Sequence, residues 1–238
     1  QRLQAALAGA AQEIKELHQA AVEQVGPDEA AIFEAHQLFL QDPALLAAAE
    51  ALIRDEQINA EAAGVHVDER GFIPVDQHMQ TNVPHIYAAG DCTGQMPLSS
   101  VASMQGKKIA QHLVGLPVRP IDYSKVTQAV FTEPEIASVG LEEVQAAQEG
   151  RKVRTTKVPF AANARGVLQG YQGGFVKVVS DPATGVVLGG TIVGHRASEL
   201  IGILALAVQV DVRAEQLIET ILVHPSLSGS IPTTAASS

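Results

Sequence analysis

The sequence changes character abruptly near Ala63 and Gly64, and this break limits how the chain can be divided into folding units. Residues 1–63 carry three Lys/Arg against eleven Asp/Glu, a net charge of −8, and are rich in Ala, Gln, Glu and Leu. The remaining 175 residues carry a net charge of −2, and Val, Gly and Thr become frequent. Such a shift in composition indicates a domain boundary. We therefore expect an acidic segment at 1–63 followed by a unit of a different fold.

The acidic segment, residues 1–63, has the pattern of a helical hairpin. Its first apolar residues recur at helical spacing: Leu3, Leu7, Ile14 and Leu17. Further along, Asp42 and Pro43 are typical of an N-cap followed by the first residue of another helix. His18 and His36 have no neighbouring set of ligands with the spacing of a metal site, so we expect no bound metal. The simplest interpretation of this segment is a spacer or docking hairpin without chemistry.

Composition excludes several classes of function. The net charge of −10 and the aromatic content of 4% argue against nucleic-acid binding. No run of about 18 apolar residues is present, so no membrane span is expected. The single cysteine, Cys92, cannot form an internal disulfide and favours a reducing compartment. These features predict a cytoplasmic protein that binds no nucleic acid and has no membrane span.

A strand followed by a helix surrounds Gly90 and Asp91. Residues 86–89 have the pattern of a short buried strand, and residues 97–114 that of a helix. A carboxylate at the carboxyl end of a parallel strand lies where such sheets bind ligands. Glycine allows close approach of the backbone, and free N–H groups at the start of a helix suit an electron-rich ring. From these residues alone, a ligand-binding Asp91 and an Asp91 that merely caps a turn are equally compatible with the pattern.

From about Ile121 the chain has an α+β pattern. Strand-like runs lie at 128–131, 136–139, 153–160, 174–180 and 186–193. Helical runs lie at 141–148, 198–210 and 214–221, and residues 181–185 form a turn between two strands. This order predicts an antiparallel sheet covered by helices.

The run TNVPHIYAAGD, residues 81–91, resembles the second FAD-binding motif of the pyridine nucleotide–disulfide oxidoreductases, the family of lipoamide dehydrogenase, glutathione reductase and mercuric reductase. Five further blocks follow in the family's order: FTEPEIASVG, VPFAANARG, GFVKVV, VLGGTIVG and ASELI. The resemblance covers residues 64–238. It implies the remnant of an α/β FAD-binding domain at 64–119 and a dimerisation domain at 120–238. It also implies FAD as cofactor, NAD(P)H as reductant in the parent family, and a homodimer.

The same resemblance assigns a cofactor-binding role to four residues. Asp91, preceded by Gly90, matches the residue that holds the flavin ribityl chain in the family. Leu98 and Ser99 match the start of the helix that approaches the isoalloxazine ring.

The run HPSLSGSI near the C-terminus resembles the H-P-T-L-S-E run of lipoamide dehydrogenases. His224 matches the acid/base histidine of that run, which takes up a thiol proton. Gly229 stands where the family has the glutamate that fixes this histidine, so the catalytic pair is incomplete. The run is closer to an actinobacterial branch described as NAD(P)H:quinone reductases. An ordinary surface role for His224 stays open.

The acidic segment carries a resemblance of its own. Within residues 29–63, the run IFEAHQLFLQDPAL resembles the helical HPr-docking subdomain of enzyme I of the bacterial phosphotransferase system. This resemblance implies an HPr-like partner. The Gly-rich motif that carries the family's phosphorylatable histidine is not found in the sequence, so docking rather than phosphotransfer is expected.

Two motifs that a working flavin oxidoreductase of this family needs are not found in the 238 residues. They are the G-x-G-x-x-G fingerprint that binds the FAD pyrophosphate and the redox pair C-x4-C. Cys92 is most simply a small buried residue. We therefore expect a fragment or chimera of an FAD- and NAD(P)H-dependent oxidoreductase that is inactive alone, and whether it is an enzyme stays open. The alternative is a dimeric interaction scaffold with an HPr-docking segment.

Overall fold

The computed structural model describes residues 60–236. The predicted acidic hairpin lies outside the described residues, except for its last four, which form a short 3-10 helix at Ala60–Ala63. The chain divides into two compact units between Ile121 and Asp122. The described parts of these units are residues 60–121 and 122–236, and the two units are described separately.

In the described part of the first unit, residues 60–121, loops pack against one long helix. Helix α1 spans Ser99–Leu113, within the predicted helical run, and buries Val101 and Gln105. A second short 3-10 helix spans Asp91–Thr93. The loops enclose a small core whose buried members are Val65, Ile73 and Ala88.

Residues 86–89 do not form the strand that the sequence predicts. Tyr87 makes one isolated antiparallel bridge with Gln80, and the N–H of Thr81 donates to the carbonyl of Ile86 at 3.0 Å. The N–H of Ala88 also donates to the carbonyl of Met79 at 3.1 Å, so residues 79–81 lie beside this stretch. A strand needs a longer ladder of backbone hydrogen bonds, and the pairing here is limited to this one bridge. The stretch is apolar because it packs into the small core, where Ala88 is 8% exposed.

The second unit is a five-stranded antiparallel sheet in the order β1-β2-β5-β4-β3. The strands are β1 Gln128–Val130, β2 Glu135–Gly140, β3 Arg154–Pro159, β4 Phe175–Ser180 and β5 Val187–Gly194. Each lies within one residue of a predicted run. The predicted α+β class and antiparallel sheet are confirmed.

Five helices accompany the sheet within residues 122–236. They are α2 Glu143–Gln148, α3 Ala164–Gln169, α4 Ala197–Gln209, α5 Ala214–Ile218 and α6 Ser230–Ala236. Helices α2, α4 and α5 follow the predicted runs, although α5 ends three residues early. Helices α3 and α6 were not predicted, because their glycine, proline and threonine residues have low helix propensity. Helix α6 is held by burial instead, since Ile231 and Ala235 are fully buried.

The core of the second unit lies between helix α4 and strands β2 and β5. Leu204 of α4 and Ile192 of β5 are both fully buried. Gly190 lets the helix approach, because a Cβ at this position would lie 2.7 Å from Cδ1 of Leu204. At the start of α4, the N–H and hydroxyl of Ser198 donate to one carboxylate oxygen of Glu135 at 3.0 and 2.7 Å. This carboxylate joins the start of β2 to the positive end of the helix.

The turn predicted between β4 and β5 is confirmed at residues 181–185. The carboxylate of Asp181 accepts from the N–H of Ala183 at 3.0 Å, and from the N–H and hydroxyl of Thr184 at 2.8 and 2.9 Å. The hydrogen bonds from Thr184 lower the pKa of the Asp181 carboxyl. The N–H of Gly185 donates to the carbonyl of Asp181 at 2.9 Å, which closes the turn.

Leu204→Ala tests the importance of the α4 contact. Leucine at this fully buried site fills space above Gly190, so we expect alanine to leave a cavity and lower the free energy of unfolding by about 2–5 kcal/mol. The measurement is urea denaturation followed by circular dichroism. Leu168→Ala on α3 is the matched control, because Leu168 is 72% exposed and the change should cost less than about 0.5 kcal/mol. Equal losses for the two variants would contradict this packing.

Candidate functional site

The loop around Asp91 is a tight 3-10 turn between two glycines. Gly90 has a φ of 86° and Gly94 a φ of 67°, values that side-chain-bearing residues rarely adopt. A Cβ at Gly94 would lie 2.6 Å from the ring of Phe72, so no larger residue fits there. The side chain of Asp91 is exposed. The loop therefore presents one carboxylate to solvent on a backbone that glycine makes possible.

The buried side chain of Gln105, on helix α1, holds this loop in position through hydrogen bonds. Its side chain is fully buried, and its Oε1 accepts from the N–H of Gly90 at 2.6 Å. Its Nε2 lies 3.5 Å from the hydroxyl of Thr93, which itself donates to the carbonyl of Gly90 at 2.8 Å. A buried amide placed in this way holds both ends of the 3-10 turn against the helix, and so holds the backbone of Asp91.

The N-terminus of helix α1 follows the loop. Leu98, the N-cap residue, has extended backbone angles of −126° and 134°, and no side chain caps the helix. Ser99 and Ser100 are exposed, and the first turn contains no acidic residue. The first amides of a 15-residue helix are therefore available to an electron-rich group, with the positive end of the helix dipole behind them.

Cys92 lies within the 3-10 turn and is half-buried. Burial raises the pKa of its thiol. Its Sγ donates to the carbonyl of Ala89 at 3.4 Å. A raised pKa leaves little thiolate at neutral pH. Cys92 also packs against the small core of the first unit, as the interpretation of a structural cysteine expects.

The second candidate segment is the C-terminal run that begins at His224. The His224 side chain is exposed, and the peptide bond to Pro225 is cis. Ser226 then caps a 3-10 helix at Leu227–Gly229, because its hydroxyl accepts from the N–H of Gly229 at 3.2 Å and donates to the carbonyl of Val223 at 2.5 Å. Gly229 thus stabilises the turn through its backbone and offers no carboxylate to His224.

Asn163 connects the C-terminal run to helix α3. Its Oδ1 caps α3 by accepting from the N–H groups of Arg165 and Gly166, at 2.9 and 3.2 Å. Its Nδ2 donates to the carbonyl of Ser226 at 3.0 Å and to the hydroxyl of Ser230 at 2.8 Å. All four hydrogen-bonding positions of the amide are used. Asn163 therefore determines where the turn after His224 lies relative to α3.

Gln105 and Asn163 hold the two candidate segments in position, and neither role was predicted from the sequence. The run N-A-R-G could have indicated an N-cap at Asn163, because asparagine is among the preferred capping residues. Its second role, on residues 226 and 230, has no local signature. Gln105 lies on the helix face that carries Val101, and a lone glutamine on such a face does not reveal what it binds.

The predicted site residues fall into two groups. Gly90, Asp91, Leu98 and Ser99 come together at the loop and helix start of the first unit, whereas His224 belongs to the second unit. No group of three or more His, Cys, Asp or Glu with metal-binding geometry occurs among residues 60–236. No helix in that range is long and apolar enough to cross a membrane.

Comparison with protein families identifies the second unit. Residues 126–235 match the family model described as the dimerisation domain of the pyridine nucleotide-disulphide oxidoreductases. The five-stranded sheet lies within these residues and is thus similar to a dimerisation domain of that family. Residues 1–70 match a second model, the N-terminal region of PEP-utilising enzymes, which supports the resemblance of the acidic segment to enzyme I.

Individual relatives extend the match beyond the dimerisation domain. A dihydrolipoyl dehydrogenase from Chlamydia muridarum is 43% identical over 176 residues, which cover 74% of this chain and 38% of that protein. An NAD(P)H dehydrogenase (quinone) from Mycobacterium tuberculosis is 42% identical over 174 residues, covering 73% of this chain and 35% of that protein.

A solved structure gives the same result. The crystal structure of LpdA from Mycobacterium tuberculosis superposes with a TM-score of 0.73 at 41% identity, and covers 76% of this chain and 40% of that one. The resemblance to the lipoamide dehydrogenase and quinone reductase branches is therefore confirmed. The chain spans about two fifths of the length of the relatives that it matches.

Gln105→Leu tests the hydrogen bond that holds the Asp91 loop. Leucine occupies a similar volume but leaves the N–H of Gly90 without this acceptor, so we expect the first unit to lose about 1–3 kcal/mol. Native-state hydrogen exchange should show it as faster exchange at Gly90 and Thr93. Gln145→Leu, at an exposed position of α2, is the control and should change stability by less than about 0.5 kcal/mol. Unchanged protection at Gly90 in the Gln105 variant would show that the bond is not important.

Proposed function

We propose that this chain is a fragment or chimera of an FAD- and NAD(P)H-dependent oxidoreductase of the lipoamide dehydrogenase or quinone reductase type. Its second unit would pair two copies of the chain, and its first unit would carry part of a flavin site. The observation that carries this proposal is the dimerisation-domain match over residues 126–235. The match of about three quarters of the chain to dihydrolipoyl and quinone dehydrogenases supports it.

The outer side of helix α4 supports a homodimer. Leu206 and Val210 are 64% and 59% exposed on the side of the helix opposite to the buried Leu204. Gly202 is also exposed on this side and would admit the close approach of another surface, since a Cβ there would meet nothing within 4 Å. Glu199 in the first turn carries the charge on this side, and the rest of the side is mostly apolar, as is typical of a face that another surface covers. A second copy of the chain would cover this face.

The residues of the Asp91 loop fit one end of FAD. The exposed carboxylate of Asp91 can accept hydrogen bonds from the ribityl hydroxyls, and the uncapped amides after Leu98 can face the electron-rich edge of the flavin ring. When bound, the flavin would supply electron transfer between a nicotinamide and a disulfide or quinone. Gln105 would hold the loop in place, and the half-buried Cys92 would take no part.

His224 is the proposed proton-carrying residue of the parent enzyme. Its exposure leaves the imidazole able to exchange a proton with a group outside its own unit. Asn163 and Ser226 would set the position of this segment through the hydrogen bonds described above. Because Gly229 provides no carboxylate to orient the ring, we propose that the histidine contributes little here. We therefore expect no turnover by the chain alone.

A cytoplasmic location is also part of this proposal. The single cysteine supports it, because disulfide-bonded proteins are typical of oxidising compartments.

A second candidate function is a dimeric interaction scaffold. The match of residues 1–70 to the N-terminal region of PEP-utilising enzymes favours it. In this proposal the dimerisation unit presents two copies of the acidic segment to an HPr-like partner. The charge of −8 on residues 1–63 would attract a basic surface on that partner.

Leu206→Glu tests the homodimer. A carboxylate at the centre of an apolar interface loses its hydration, so we expect the variant to be monomeric where the parent chain is dimeric. Light scattering coupled to size-exclusion chromatography gives the mass, which should fall by about half, as expected when a symmetric dimer separates. Val144→Glu is the control, since Val144 is 58% exposed on α2 and its variant should stay dimeric. A monomeric parent chain would contradict the proposal at once.

Asp91→Asn tests the flavin site. Titration of FAD into the full chain, followed by flavin fluorescence, should give weak binding. The variant should bind about tenfold more weakly because it loses charge-assisted hydrogen bonds. Glu143→Gln, an exposed change on α2, should leave binding unaltered. A chain that purifies with a full complement of FAD would contradict the expected weakness, and equal affinities for Asp91→Asn and the parent would remove Asp91 from the site.

Titration with HPr tests the scaffold. If the acidic segment docks HPr, isothermal calorimetry should detect binding that weakens as salt is raised, because the attraction between exposed charges is screened. If no binding is detected at HPr concentrations of about tens of micromolar, where a weak transient complex would form, this second candidate is excluded.

A further inference from the structure

The exposed side of helix α1 carries mostly apolar and small residues, which is unusual for a surface in contact with water. We define the α1 outer face as the exposed residues on the side away from Val101 and Gln105: Ser103, Met104, Gly106, Lys107, Ala110, Leu113 and Val114. Leu113 and Val114 are 64% and 71% exposed, and Leu116 follows at 55%. The solvent side of a surface helix normally carries charged and polar residues. Among these seven residues, Lys107 is the one that carries a charge.

The shape of this face suits another helix. Ser103, Gly106 and Ala110 are small and lie close together at helical spacing, so a second backbone can approach them. A Cβ at Gly106 would meet nothing within 4 Å. Larger apolar side chains, Met104 and Leu113, flank the small residues. This arrangement of a flat centre with apolar sides is typical of a helix–helix contact.

The segment of the chain that carries the face is positively charged. Residues 92–121 contain no Asp or Glu, and Lys107, Lys108 and Arg119 give them a net charge of +3. Residues 1–59 of the same chain contain three Lys/Arg and ten Asp/Glu, a net charge of −7. They also contain apolar residues at helical spacing, beginning with Leu3 and Leu7. The two parts are complementary in charge and in apolar pattern.

The two parts are joined through one small core. Ala60, which follows residues 1–59, and Cys92, which begins residues 92–121, both pack against the core formed by Val65, Ile73 and Ala88. Residues 1–59 are therefore connected to the chain at the core of the unit that carries α1. A tether of this kind raises the effective concentration of the segment, so even a weak contact forms within one chain before a second molecule competes.

We propose that residues 1–59 pack their apolar residues on the α1 outer face of the same chain, with their carboxylates near Lys107 and Lys108. This contact does not depend on flavin binding or on dimerisation. It gives the acidic segment a structural function within the first unit, and it would leave less of the segment free for an outside partner.

Ala110→Glu in the full chain tests the contact, and Ala110→Lys is its matched partner. Both side chains are long and charged, and alanine at this position is exposed, so neither should disturb α1 itself. Glutamate adds a negative charge where an acidic segment would sit, whereas lysine adds an attractive one. Hydrogen exchange measured by mass spectrometry should become about tenfold faster in peptides from residues 1–59 of the Glu variant, and change less in the Lys variant.

Two controls make the result decisive. Peptides from residues 72–94 should exchange as in the parent chain, which shows that the loops under α1 are still folded. Val144→Glu in the second unit should leave residues 1–59 unchanged. Unaltered exchange of residues 1–59 in Ala110→Glu would overturn the proposal. Protection that rises with protein concentration would identify a second copy as the occupant, and protection seen only with added HPr would identify that partner; either result also overturns it.

Discussion

The contact of helix α4 with strands β2 and β5 is the constraint on which the second unit depends. Leu204 fits over Gly190, where any side chain would prevent the approach, and Glu135 fixes the start of the helix through Ser198. The same buried cluster continues into α5 and α6 through Leu217 and Ile231. The sheet and the three helices therefore share one core. Helix α6 is held in position by its contacts with that core.

Much of this unit could be predicted from the sequence because its strands are local patterns. Runs such as Phe175–Ser180 and Val187–Gly194 are apolar, rich in β-branched residues and separated by a turn whose aspartate satisfies its own backbone. Helix α6 could not be predicted in this way, because its stability comes from the burial of Ile231 and Ala235 against distant residues. Residues 86–89 were wrongly predicted as a strand for the opposite reason: they are apolar because they pack in a core of loops, and residues 79–81 pair with them at only one bridge.

In the candidate sites too, local patterns could be predicted from the sequence, whereas contacts between distant residues could not. Asp91 and Leu98 could be found because they belong to a contiguous motif that resembles a known one. The residues that hold those motifs in place act across the chain, since Gln105 reaches back 15 positions to Gly90, and Asn163 reaches forward 63 positions to Ser226. Neither partner can be inferred from spacing. Candidate binding residues could be identified from the sequence, whereas the residues that position them could be identified only from the fold.

The strand order has a consequence for how these molecules meet one another. Strands β1 and β3 end the sheet, and an end strand can pair with the sheet of another molecule unless something prevents it. Strand β1 has three residues, too few to guide a long ladder, while β3 carries Arg154 and Lys157 and finishes at Pro159, which has no N–H to donate. Growth through either edge of this sheet is therefore disfavoured, and a second copy of the sheet would contact it through side chains rather than through backbone hydrogen bonds.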